Sequence, residues 1–101
     1  MAVSPEYRDW VQEQLRGAGT VTARSMFGGC GVYLDGAFFA IIADDVLYFK
    51  VDDGNRPDYE AAGMGPFRPY ADRSEVMQYY EVPADVLEDR QRLMSRALEL
   101  S

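Results

Sequence analysis

The feature that most constrains the fold of this chain is the close spacing of turn residues between positions 22 and 51. Four short apolar segments, at 22–27, 30–34, 37–42 and 46–51, are separated by only a few residues each. One connection is Asp35-Gly36, a dipeptide typical of a two-residue hairpin. Parallel strands require much longer connections than these. The spacing therefore predicts four antiparallel strands that pair in chain order.

Helical patterns flank this region. Ser4 is a suitable N-cap and Pro5 a suitable first residue for a helix whose apolar stripe repeats every 3.6 residues. That stripe consists of Tyr7, Trp10, Val11, Gln14, Leu15 and Ala18. Asn55 is expected to cap a short helix ending near residue 62. A last strand is predicted at 75–82, and Pro83 is expected to open a C-terminal helix.

The predicted fold class is α+β, a single two-layer domain over residues 1–101. Its elements run helix, four-strand meander, helix, one or two strands, helix. The sheet is mainly antiparallel, with helices at both ends of the chain and one short helix between strands. Gly65-Pro66 and Pro69 predict an irregular or edge-like stretch around Phe67.

The chain contains no histidine and one cysteine, Cys30. These counts exclude histidine-based catalysis, histidine-ligated metals, an internal disulfide and a cysteine-rich zinc site. We therefore assign no catalytic, cofactor-binding or metal-binding residue, and expect a protein that is not an enzyme. A lone cysteine without a signal peptide favours the cytoplasm. The longest apolar stretch, residues 37–42, is too short to span a membrane.

The charge of the chain opposes contact with nucleic acid. Seventeen acidic residues against ten basic ones give a net charge of −7. Affinity for nucleic acid depends largely on Lys and Arg that neutralise phosphates. We therefore expect no direct nucleic acid binding by this domain alone. A DNA-linked role would require the arginines of the terminal helices to converge on one face: Arg8, Arg16, Arg90, Arg92 and Arg96.

The segment from Arg24 to Tyr33, which reads RSMFGGCGVY, is the most distinctive in the chain. It resembles the signature of the TfoX N-terminal domain family, related to bacterial regulators of natural competence. The signature residues carried by this chain are Arg24, Met26, Phe27, Gly28, Gly29 and Gly31. Further similar blocks follow at 47–52 and 77–83. The resemblance implies a bacterial, transcription-linked regulatory domain with an α+β fold and no described catalytic residues.

Two of the predicted strands are apolar on both faces. Strict alternation places Phe39 and Ile41 on one face, together with Tyr48 of the next strand. Opposite them it places Phe38, Ala40, Ile42, Leu47, Phe49 and Val51. If all helices cover one face, the other face needs a second cover. We therefore predict a homodimer or partner-protein interface at Phe39, Ile41 and Tyr48.

The leading functional prediction is a non-enzymatic regulatory or protein-interaction module. One alternative is a small acidic chaperone-like adaptor that binds an extended segment of another protein at a sheet edge. That alternative predicts an open edge strand beside an apolar groove. The other alternative is a DNA-linked transcriptional regulator that acts through a partner.

Overall fold

The sheet forms in the order in which its strands occur in the sequence. A computed structural model of the chain describes residues 3–26, 29–67 and 78–100. The helices are α1 Pro5–Leu15, α2 Arg56–Ala61, α3 Ala84–Leu87 and α4 Arg90–Leu100, with a 3-10 turn at Arg16–Ala18. The strands are β1 Val21–Met26, β2 Gly29–Leu34, β3 Ala37–Ala43, β4 Val46–Lys50 and β5 Tyr79–Glu81. They form one antiparallel sheet in the order β1-β2-β3-β4-β5. The predicted α+β meander with terminal helices is confirmed.

The hairpin turns owe their shape to aspartate and glycine. Asp35 and Gly36 have φ angles of 49° and 85°, and Asp44 and Asp45 have φ angles of 51° and 57°. Positive φ at both central residues fits the right-handed twist of a hairpin, and aspartate tolerates it better than most residues. The Asp45 carboxylate also accepts a hydrogen bond from the Ser4 backbone N–H, at 2.8 Å. The β3–β4 turn therefore holds the start of α1.

One face of the sheet, called the helix face here, carries the main core. Its fully buried large side chains are Val11, Leu15, Val32, Leu34, Phe39, Ile42, Leu47, Phe49, Val86 and Leu93. Helices α1, α3 and α4 contribute to this cluster, and α2 adds the buried Tyr59. The Ser4 side chain caps α1, as predicted, by accepting a hydrogen bond from the Tyr7 N–H at 3.2 Å.

A β-bulge between β2 and β3 changes which side chains reach the helix face. Val32 pairs with Ala40, but the next residue, Tyr33, pairs with Phe38, so Phe39 has no partner in β2. An extra residue in one strand breaks the strict alternation of side chains. Phe39 consequently joins the main core beside Ala40, and its ring centroid lies 5.5 Å from that of Phe49. The predicted grouping of Phe39 with Ile41 is therefore wrong.

The opposite face, called the far face here, is covered from within the chain. Its cluster consists of Ile41, Ala43, Phe67 and Tyr79, with Phe38 and Tyr48 packed against it. Phe67 belongs to the irregular segment after α2 and packs against Tyr48 with its ring tilted, with 5.0 Å between ring centroids. The cover predicted for the second face is thus supplied, at these positions, by the chain itself.

Three local predictions need correction. Asn55 makes no side-chain cap for α2, because its side-chain oxygen instead accepts a hydrogen bond from the Asp52 N–H at 2.7 Å. The last strand is Tyr79–Glu81 rather than 75–82, and residues 75–77 lie outside the described ranges. The C-terminal helix is divided into α3 and α4, since Asp89 caps the first turn of α4 through the Arg92 N–H at 3.2 Å.

Candidate interaction site at the open sheet edge

The β5 edge of the sheet is closed by residues 65–67. The Phe67 N–H donates to the Tyr79 carbonyl at 2.7 Å, and the Glu81 N–H donates to the Gly65 carbonyl at 3.1 Å. Pro66 forms a bridge to Tyr80 between these two bonds. The outward Tyr79 carbonyl and Glu81 N–H of β5 are therefore already paired within the chain.

The β1 edge differs because its outward groups are not paired in this way. The Asp35 N–H donates to the Thr20 carbonyl at 2.8 Å. Residues of an antiparallel ladder point alternately towards and away from their partner strand. Because the Thr20 carbonyl points towards the β2 side, the main-chain groups of Thr22 and Arg24 point towards β2 as well. The main-chain groups of Val21, Ala23 and Ser25 therefore point outward.

A side-chain contact supports this assignment. The Gln12 amide of α1 donates to the Val21 carbonyl, at a long distance of 3.5 Å. Across the described ranges, no other element hydrogen-bonds to the outward main-chain groups of Ala23 or Ser25. An edge strand with such groups is a template for another strand.

A groove of about 430 Å³ lies beside this edge. Its lining residues are Asp9, Gln12, Glu13 and Arg16 of α1 with Gly19, Thr20 and Val21. Glu13 pairs with Arg16 at 3.0 Å and with Arg90 at 3.7 Å. The edge is open as the adaptor alternative required, but the groove beside it is lined by polar as well as apolar groups rather than being apolar.

The signature residues build the hairpin that carries this edge. Arg24 is exposed on β1, and its guanidinium carbon lies 5.6 Å from the centroid of the Tyr33 ring, a cation–π distance. Gly31 is buried and pairs with both Arg24 and Ile41. A Cβ on Gly29 would lie 2.5 Å from the Ile42 carbonyl oxygen, so this glycine permits close approach of β2 and β3.

The remaining signature residues lie at the hairpin tip. Met26 is the last residue of β1 and pairs with Gly29. Phe27 and Gly28 lie outside the described residues.

The family model of the TfoX N-terminal domain matches residues 13–99. The chain belongs to the TfoX N-terminal domain family. No curated protein matches it.

The TfoX N-terminal domain match runs from α1 to α4 and so includes the whole sheet. The open edge therefore lies inside the family domain. Sequence reasoning placed β1 first in a meander, which puts it at an edge, but did not identify that edge as a candidate site. The open edge could have been predicted from the sequence, because no strand is predicted before residue 22 that could pair with β1.

The residues predicted as an interface have other roles within the monomer. Phe39 is 0% exposed in the main core, and Ile41 is 1% exposed in the far-face cluster. Tyr48 is half-buried and contacts Phe67. Phe39 and Ile41 are thus enclosed by their own chain, because of the bulge in one case and the far-face cover in the other. The homodimer remains a prediction, as does a contribution of Tyr48 to its interface, whereas Phe39 and Ile41 are buried within the monomer.

The titratable groups with shifted pKa values show no sign of catalytic activation. Burial raises the pKa of the Cys30 thiol, and nearby Arg8 only partly opposes that shift. Burial likewise raises the pKa values of the phenols of Tyr7, Tyr48, Tyr59 and Tyr79. A nucleophile or general base needs its charged form to be favoured near neutral pH, which is the opposite direction for these groups.

Four of the five arginines named for a DNA-linked role contact other side chains. Arg16 and Arg90 both pair with Glu13, and Arg92 pairs with Asp85 at 3.1 Å. The guanidinium carbon of Arg96 lies 5.1 Å from the Tyr59 ring centroid.

Within the described ranges, no group of three or more metal-ligating side chains is found, and no helix is long and apolar enough to cross a membrane.

Proposed function

We propose that this TfoX N-terminal domain is a non-enzymatic regulatory module, related to competence regulators, that binds protein through the β1 edge. The observation that carries the proposal is the contrast between the two sheet edges. The β5 edge is closed by residues 65–67, whereas Ala23 and Ser25 of β1 present outward main-chain groups. Strand addition at such an edge is a common mode of protein recognition.

A regulatory role without catalysis is supported by the chemistry of the buried groups. The chain has no histidine, and the shifted pKa values of its thiol and phenols favour their neutral forms. The groove beside α1 is lined by a carboxylate already paired with two arginines. These groups can position a partner by hydrogen bonds and charge.

Protein is favoured over nucleic acid as the ligand because of charge. The chain carries a net charge of −7, and Arg16, Arg90 and Arg92 are paired with carboxylates. Neutralisation of several phosphates would require these pairs to break. A role in transcription would therefore act through another protein.

The test is photo-crosslinking of the full chain in its native cells. A photoreactive amino acid replaces the exposed Thr22 at the β1 edge or, as a matched control, the exposed Glu60 of α2. We expect a discrete crosslinked protein from position 22 and none from position 60. Equal, diffuse labelling from both positions, or no product from position 22, would contradict the proposal.

A further inference from the structure

We propose that the strand added to β1 is β1 of a second copy, antiparallel and related by a two-fold axis at Ala23. This inference rests on the proposed function, since it names the partner of the same edge. The two five-stranded sheets would become one continuous sheet. Closed two-fold dimers are the commonest oligomers, and their contact residues must complement themselves.

The hydrogen-bonding pattern of β1 satisfies that requirement. With the axis at Ala23, Ala23 pairs with Ala23 of the second copy and Val21 pairs with Ser25. All three outward-pointing residues are then used, which gives about six main-chain hydrogen bonds between the copies. Among the described residues, the Val21 carbonyl accepts only the 3.5 Å contact from Gln12, which a shorter main-chain bond can replace.

The side chains select this register over its neighbours. With the axis at Ala23, Arg24 lies opposite Thr22 of the second copy, and the small Ala23 lies opposite itself. Moving the axis to Arg24 would set two guanidinium groups directly against each other, which is unfavourable across a strand pair. Moving it to Thr22 would place Ser25 opposite Gly19, which lies outside the strand.

The distribution of charge also favours this edge. Residues 1–36, which contain α1, β1 and β2, hold four acidic and three basic residues. The rest of the chain holds thirteen acidic and seven basic residues, so it carries six of the seven net negative charges. Two copies that approach through β1 therefore meet through the part of the chain that carries least net charge, so their mutual repulsion is small there.

The first experiment measures the size of the purified chain by sedimentation equilibrium over a concentration series. We expect a dimer of the 11.4 kDa chain.

Ser25→Pro removes an outward N–H and spares the β1–β2 ladder, because proline is tolerated where an edge N–H faces solvent. It should raise the dimer dissociation constant at least tenfold, whereas the matched variant Ser25→Ala keeps the N–H and should change it less than threefold.

The second experiment tests the register through charge at an exposed position. Thr22→Glu places a carboxylate opposite Arg24 of the second copy at two symmetric sites, and Thr22→Arg places a like charge there. We expect the dissociation constant to fall about fivefold for Thr22→Glu and to rise about fivefold for Thr22→Arg. Circular dichroism should show that both variants remain folded.

The outcomes separate this inference from the proposed function. Amide hydrogen exchange should show concentration-dependent protection at Ala23 and Ser25. A purified monomer at tens of micromolar overturns the second-copy proposal. If position 22 still crosslinks to a different protein in cells, the proposed function survives and the partner is that protein's extended segment. A dimer that is insensitive to Ser25→Pro and to both Thr22 variants also overturns the proposal.

Discussion

The two faces of the sheet both bury apolar side chains, but the helix face is covered by several helices and the far face by far fewer residues. On the helix face, Phe39 and Phe49 are 0% exposed beneath helices drawn from both ends of the chain. On the far face, Phe38 and Tyr48 stay half-buried, and the cluster gains Phe67 and Tyr79 as cover. Phe38 and Phe39 are neighbours in sequence, so composition does not distinguish them. One extra residue in β3 assigns each ring to its environment.

The largest expected effect comes from truncating the better-buried member of that pair. Phe39→Ala should lower the free energy of unfolding by about 3–5 kcal/mol, the usual cost of removing a fully buried phenylalanine. Phe38→Ala should cost less than half as much, because its ring is partly exposed. Urea unfolding of both variants measures the difference. Equal losses would show that the two faces are equally well packed.

A smaller effect is expected at Gly29, where an added side chain has no room between β2 and β3. Gly29→Ala should destabilise the fold by about 1–3 kcal/mol, because the new methyl group meets the Ile42 carbonyl oxygen at 2.5 Å. Gly36→Ala is the comparison, since nothing lies within 4 Å of its added Cβ. There the cost arises only from its positive φ of 85° and should be about 1 kcal/mol. Thermal melts that rank the two variants in the reverse order would contradict this assignment.

Alkaline pH should weaken both faces. The pKa values of Cys30, Tyr48 and Tyr59 are raised by burial above their ordinary values of 9.0 and 10.0. In the unfolded chain these groups ionise at their ordinary values, whereas in the folded chain they remain neutral to higher pH. Their contribution to stability is therefore complete below about pH 9 and is lost as pH rises beyond it. Urea midpoints between pH 7 and 11 should fall accordingly.

Phenylalanine substitutions assign that alkaline loss to each face. Tyr59→Phe removes a phenol from the helix face, and Tyr48→Phe removes one from the far face. Each variant should show a shallower decline in its urea midpoint above pH 10 than the unmodified chain. An unchanged slope in both variants would mean that other groups govern alkaline unfolding.

The smallest expected effect is at Arg24, whose guanidinium lies over Tyr33 beside the exposed edge. Arg24→Gln should lower the free energy of unfolding by about 0.5–1 kcal/mol, the usual value of an exposed cation–π contact. Tyr33→Leu with Arg24→Gln completes a double-mutant cycle. A coupling energy near zero would show that the contact contributes nothing to stability.

The extent to which the sequence predicts this fold depends on how local each signal is. The α1 stripe, the Ser4 cap and the Asp35-Gly36 turn depend on residues close in sequence, and they were correctly predicted except for Trp10 of the stripe, which is 38% exposed. The bulge at Phe39 depends on how β2 pairs with β3, so strict alternation assigned that ring to the wrong face. Phe67 was placed in an irregular or edge-like stretch, but its contact with Tyr48 joins distant parts of the chain.

The candidate site shows the same division. The signature around Arg24 located the hairpin that carries the open edge. The identity of the open edge depends on which strand remains unpaired. That becomes visible only when residues 65–67 are seen to close β5.

The order of the strands has a consequence for the time course of folding. Strands β1 to β4 pair only with neighbours along the chain and close turns of a few residues, and such local pairings form rapidly. The contact between α1 and α4 instead joins the two ends of the described chain. We expect the hairpins to assemble first and the terminal helices to dock last. In stopped-flow refolding, a slow phase in the fluorescence of Trp10, which is 38% exposed on α1, should then accompany the burial of Val11 and Leu15.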